Sequence, residues 1–166
     1  YESLALAVYR LANGSPPVRP LLAPGGAMQR LESLALGRLR IPVDQTASMQ
    51  VPFRGPGGAG GGSFRYVAAA DVVEGRLAPG ELKDKIVLMG ATAPGLQDLR
   101  ATPVGAAFPG VEVHANIVSG LLDQRLLAVP DYAPGYEVLT VLVAGLVLAF
   151  GLSLLSAPRA VLLGVG

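Results

Sequence analysis

The chain has 166 residues, of which 51% are hydrophobic and 15% charged, with a net charge of +1 and no cysteine. That length holds one domain of ordinary size plus one or two membrane helices. The near-neutral charge, without a Lys/Arg stripe, gives no basis for nucleic-acid binding, and the missing cysteine excludes disulfides, thiolate catalysis and Cys-ligated zinc.

Residues 1–12 carry apolar side chains at Tyr1, Leu4, Val8 and Leu11, which is helical spacing, and Asn13-Gly14 supplies a left-handed stop. Residues 15–26 read as a Pro/Gly-rich loop, and 28–36 fit either a short helix or a strand. From Leu39 the period becomes two, with Leu39, Ile41 and Val43 on one side. A polar turn over 44–47 follows, and Met49, Val51 and Phe53 alternate again. This predicts a β-hairpin, placed at a sheet edge because Pro42 and Pro52 each lack a ladder donor.

Residues 55–62 read GPGGAGGG. A phosphate-cradling loop would need a helix immediately after it. Phe64-Arg65-Tyr66 looks extended instead, so the segment reads as a flexible connector. A short helix is expected over 68–74, stopped by Gly75, and a turn over 79–82. Ile86-Val87-Leu88-Met89 is apolar on both faces, as befits a central strand of a parallel sheet covered by helices.

The stretch 91–109 reads as a loop of about 19 residues, and loops of that length are often functional. A helix begins near Pro109-Gly110. Val111, His114, Ala115, Ile117, Val118, Leu121 and Leu122 share its apolar face, and Glu112, Asn116, Ser119 and Asp123 share the opposite one. Ligands of open α/β sheets bind beyond the carboxyl ends of the strands. The rim predicted there brings together Thr92, Asp98, Thr102, Glu112 and His114 as candidate ligand-binding residues.

Three roles are open for His114, the only histidine. It fits a buried side chain bonded to a carbonyl of the 91–102 loop, a proton- or ligand-sensing group, or a metal or catalytic group needing further ligands nearby. Asp98 could anchor the loop through backbone amides or contact a ligand. A Ser63-His114-Asp98 triad can be written down, but no nucleophile-elbow sequence supports it. Arg54 suits pairing with a carboxylate or capping a turn.

Residues 138–157 contain no charge and would rise about 30 Å as a helix, the thickness of a hydrocarbon core. Tyr132 and Tyr136 stand where interfacial aromatics are expected, and Arg159, in a short connection before a second apolar run, suggests the cytoplasmic side. The start at Tyr1 and the stop inside an apolar run read as a piece of a longer protein. The fold class expected is α/β: a mostly parallel sheet with covering helices and an edge β-hairpin, followed by a transmembrane α-helix.

The ordered strings FRGP, SFRYVAAADVVEG, LKDKIVLMGATAPGLQD, TPVG and PGVEVHANIVSGLL, followed by membrane-like segments, resemble the CHASE domain of the second type over roughly 1–130. The resemblance covers the C-terminal part of that domain, and the 57–62 glycine insertion is longer than the family pattern. It implies a bacterial inner-membrane, multi-pass receptor. Residues 1–130 would form the extracytoplasmic sensory domain, 131–137 a linker, 138–157 a membrane helix, and 158–166 a short loop and the start of a second span. The implied output is an adenylate or guanylate cyclase, or else a histidine or Ser/Thr kinase. The partners implied are an unidentified extracytoplasmic ligand or protein, the lipid bilayer and a second copy of the full-length receptor. No cofactor, metal or catalytic residue is expected. A membrane-tethered hydrolase and a purely partner-binding module are the competing classes.

Overall fold

The computed structural model describes residues 2–23, 30–91, 98–130 and 132–153. The chain divides into two compact units, Tyr1–Ala128 and Val129–Gly166.

The first unit opens with α1 (Leu4–Ala12). The Ser3 hydroxyl accepts from the Leu6 N–H, and the Asn13 side chain and backbone both donate to the Tyr9 carbonyl. Gly14, at φ 76°, turns the chain out. The helix lies where its spacing predicts, but its inner face is rotated. Ala5 is buried and Leu6 and Tyr9 pack on the core, whereas Leu4 and Leu11 are exposed. Packing against the rest of the molecule selects the face, and an isolated short helix carries little of its own stability.

Three strands follow: β1 (Val18–Leu22), β2 (Leu31–Leu36) and β3 (Leu39–Pro42). They form one antiparallel sheet in the order β1-β2-β3. The ambiguous 28–36 stretch is therefore a strand over its described part, and the expected 15–26 loop contains β1. Pro20 is accommodated because β1 is an edge strand. The hairpin is β2-β3, turning at Gly37-Arg38 with Gly37 at φ 59°, the first central position where type II′ turns want glycine. It is not the hairpin expected between β3 and 49–53. After β3 the Asp44 carboxylate accepts from the Thr46 and Ser48 N–H groups and the Thr46 hydroxyl, which closes a local turn. Beyond it Gln50 bridges to Leu127 instead of returning along β3.

A short helix, α2 (Ala69–Val73), lies inside the predicted 68–74 range and is stopped by Gly75 at φ 67°. Next come β4 (Leu99–Thr102) and β5 (Gly105–Pro109), an antiparallel pair within the stretch read as one long loop. Strand β5 runs directly into α3 (Gly110–Leu122).

The expected parallel sheet is not formed, since every strand pair in the described residues is antiparallel. Tight turns suffice for antiparallel hairpins, whereas parallel neighbours need crossovers of a dozen residues or more. The predicted central strand shows the difference. Residues 85–91 have no regular secondary structure, and Ile86, Val87 and Met89 are exposed. The core instead gathers Leu36, Leu39, Ile41 and Leu121, with Leu6, Tyr9, Val18, Leu34 and Ile117 against it. Beside it lies an apolar cavity of about 390 Å³, lined by side chains of α1, the sheet and α3.

The second unit contains α4 (Ala133–Ser153). It starts inside the segment read as a linker, so residues 133–137 are helical. Its apolar side chains are exposed all round, from Val138 and Leu139 to Val147 and Leu148. Among the described residues no helix is long and apolar enough to cross a membrane. The uncharged part, 138–153, rises about 24 Å, short of the roughly 30 Å hydrocarbon core. Residues 154–157 of the expected span, and the expected second span, lie outside the described residues.

Candidate functional site

Strand β4 and the first turn of α3 build a small rim cavity of about 140 Å³. It is lined by Asp98, Arg100, Gly110, Val113 and His114. The backbone joins the two elements: the Gly110 N–H donates to the Asp98 carbonyl at 2.7 Å. A Cβ at 110 would lie 2.3 Å from Asp98 Oδ2, so any larger residue there must displace the Asp98 carboxylate. Position 90 is tighter, since a Cβ there would meet the Cβ of Val111 at 2.5 Å. Residue 90 therefore packs against the start of α3.

Asp98 and Arg100 stand two residues apart along an extended backbone, so their side chains project to the same side. Their charged ends are 3.4 Å apart and both are substantially exposed. An ion pair of that kind contributes about 0–1 kcal/mol, so a ligand can compete for either partner at little cost. His114 reaches the same cavity, and its Nδ1 is buried without a hydrogen-bond partner among the described residues. The carbonyl bond expected of it is not made by any described residue.

The remaining predicted site residues fall elsewhere. Thr92 lies outside the described residues. The Thr102 hydroxyl donates to the Gly105 carbonyl at 3.1 Å and so shapes the β4-β5 turn. Glu112 is 2% exposed and does not line the cavity. Its Oε2 accepts from the Gly58 N–H at 2.6 Å and from the Tyr66 hydroxyl at 2.8 Å, while its Oε1 has no partner among the described residues. Burial first, and then the neighbouring carboxylate, push the Tyr66 phenol up to about 12, so it stays a donor at any ordinary pH.

The polar face of α3 is thus clasped. Asn116, 1% exposed, accepts from the Arg54 N–H and donates to the Glu112 carbonyl. Arg54 pairs with Asp123, the carboxylate partner its sequence context suggested. Sequence reasoning missed Arg100 as a cavity residue and Tyr66 as the partner of Glu112. The Asp98-x-Arg100 spacing could have revealed the first, but 46 positions separate Tyr66 from Glu112 and nothing local signals that contact.

The arrangement offers charge recognition but no recognisable nucleophilic chemistry. Ser63 belongs to the glycine-rich segment near Gly55 and does not line the cavity, so it makes no triad with His114 and Asp98. Among the described residues no cluster of three or more His, Asp or Glu side chains could hold a metal ion.

A family model described as the CHASE2 domain matches residues 1–151. The chain belongs to the CHASE2 family. No curated protein and no solved structure matches it. The CHASE2 match runs past residue 130, the limit of the resemblance read from sequence strings, and takes in most of α4. CHASE2 domains are extracellular sensory modules of membrane receptors.

Proposed function

We propose that this CHASE2 chain is the extracytoplasmic input of a bacterial inner-membrane receptor and that residues 138–157 carry its signal across the bilayer. On this reading the ligand is small and polar and engages Asp98, Arg100 and His114. Family membership carries the proposal. The weakly paired charges at the rim support the ligand site, and the uncharged run from 138 to 157 supports the span. A second span begins after Arg159, and the full receptor works as a homodimer.

Signalling requires the ligand to bind one of two domain states more tightly than the other. The output on this reading is an adenylate or guanylate cyclase, with a histidine or Ser/Thr kinase as the alternative. The experiment is cyclic-nucleotide production by the full-length receptor in membranes, titrated with candidate small polar ligands. Replacing Arg100 with Ala, or His114 with Ala, is expected to abolish the ligand response while leaving unstimulated output. An unchanged dose response in both variants would remove the rim site, and phosphotransfer without cyclic nucleotide would select the kinase.

Topology has a separate test on these 166 residues, which contain no cysteine of their own. A single cysteine placed at exposed Arg76 should react with an impermeant maleimide from outside the cytoplasmic membrane, and one placed at Arg159 should not. The reverse pattern would invert the orientation.

A further inference from the structure

The segment from Phe53 to Tyr66 crosses the polar face of α3 and is held there from its two ends. Phe53 packs edge-on against Phe108 with ring centroids 5.1 Å apart. The Arg54 N–H donates to Asn116 at 2.9 Å, and its guanidinium pairs with Asp123. At the other end the Tyr66 hydroxyl donates to Glu112. Between these anchors the eight residues GPGGAGGG make one backbone hydrogen bond with each other, from Gly61 N–H to the Gly58 carbonyl. Their attachment to α3 comes from the Glu112 carboxylate, which accepts from the Gly58 N–H, and they are seated on β5 by the fit of Gly57 on Phe108, where a Cβ would lie 2.6 Å from the ring.

Two opposed terms act on this strap. Glycine loses more conformational freedom on ordering than any other residue, so six glycines in eight residues favour release. The two hydrogen bonds to Glu112 Oε2 favour closure. Closure also buries Glu112 Oε1 with no partner among the described residues, a polar atom that water would satisfy once the strap lifts. Elements with few internal backbone bonds and offsetting terms open locally, without unfolding of the domain.

We propose that the 55–62 segment is a releasable strap over α3, latched by the Glu112 carboxylate through Gly58 and Tyr66. Lifting it exposes Glu112 and Asn116 and frees the first two turns of α3, whose opposite side lines the rim cavity. The proposal does not depend on which ligand occupies that cavity.

Hydrogen exchange of the full chain in lipid nanodiscs tests it, reading peptides over 53–66 against a control peptide over β2-β3. The 55–62 amides should exchange more slowly than in a free peptide but far faster than the control. Tyr66→Phe keeps the ring and removes one latch bond, so exchange of the strap should rise about 2- to 12-fold, the equivalent of one hydrogen bond. Gly57→Ala leaves α3 untouched and forces the strap off Phe108, so exchange should rise roughly 10-fold or more. In both variants the β2-β3 peptide should stay protected. Free-peptide exchange in the wild type, unchanged exchange in Tyr66→Phe, or loss of protection across β2-β3 together with the strap would each overturn the proposal. If Gly57→Ala does not fold, Tyr66→Phe alone decides.

Discussion

The two sides of α3 use polar residues in opposite ways. On one side Asp98, Arg100 and His114 surround a small cavity with one long ion pair and a histidine nitrogen without a partner among the described residues. On the other side Glu112 and Asn116 are almost fully buried and Asp123 is paired, each bonded to the segment passing over them. A polar residue that is buried and bonded to a neighbouring segment holds the fold, and removing its partner is costly. A polar residue left half-exposed and weakly paired is available to something else. One helix therefore carries a clasped structural face and, on the function proposed above, a recognition face, and polarity alone does not say which is which.

The largest effect should come from breaking the buried side. Glu112→Ala leaves the Gly58 N–H and the Tyr66 hydroxyl without their acceptor, and about 2–4 kcal/mol of stability should be lost. Asn116→Ala should cost about 1–3 kcal/mol by the same reasoning. Urea unfolding of the full chain, followed by a probe confined to the first unit, measures both. If either change costs less than either rim substitution below, the assignment of faces is wrong.

Alkaline titration should sharpen the contrast next. The Tyr66 phenol is raised in the folded state to about 12, from an ordinary value of 10.0. The unfolded chain therefore loses this proton first. The contribution is fully present below about pH 10 and is lost as pH rises toward 12. Tyrosinate absorbance should show a late-titrating phenol in the wild type that is missing from Tyr66→Phe.

On the rim the expected changes in stability are small. Asp98→Asn and Arg100→Gln should each shift it by less than about 1 kcal/mol. Gly110→Ala should act on geometry more than on stability, because its Cβ displaces the Asp98 carboxylate. Ligand response should fall while urea unfolding changes little, and an unchanged response would separate Asp98 from recognition.

Smallest is the Asp44 turn, away from both faces. Its hydrogen bonds to Thr46 and Ser48, the Thr46 side chain first, hold its carboxyl below the usual 3.8. The stabilisation is present above that value and is lost as pH falls through the lower folded value. Asp44→Asn should flatten only this acid limb of the pH-stability curve.

Local punctuation was legible in the sequence. The Asn13-Gly14 stop, the Gly75 stop and the Pro109-Gly110 start of α3 all lie where their backbone chemistry requires. Long-range pairing was not. Ile86–Met89 has a central strand's composition, but a strand is realised only with a neighbour, and none of the described residues pairs with it. Leu39–Val43 alternates correctly, yet alternation cannot say whether the partner lies before it, as β2 does, or after it. Helical periodicity placed Glu112 and Asn116 together on one face. It could not foresee a glycine-rich segment more than 50 positions upstream lying across them.

The apolar run at 86–89, exposed at Ile86, Val87 and Met89, bears on handling the protein in solution. Four consecutive apolar residues with no strand partner among the described residues form a template on which a second extended chain can add, the usual origin of sheet-type aggregation. Lys83, Asp84 and Lys85 stand directly before the run and are all exposed, in the gatekeeper position that discourages such stacking. Neutralising those three charges should lower the concentration at which the purified chain precipitates, and a single Val87→Lys change should raise it.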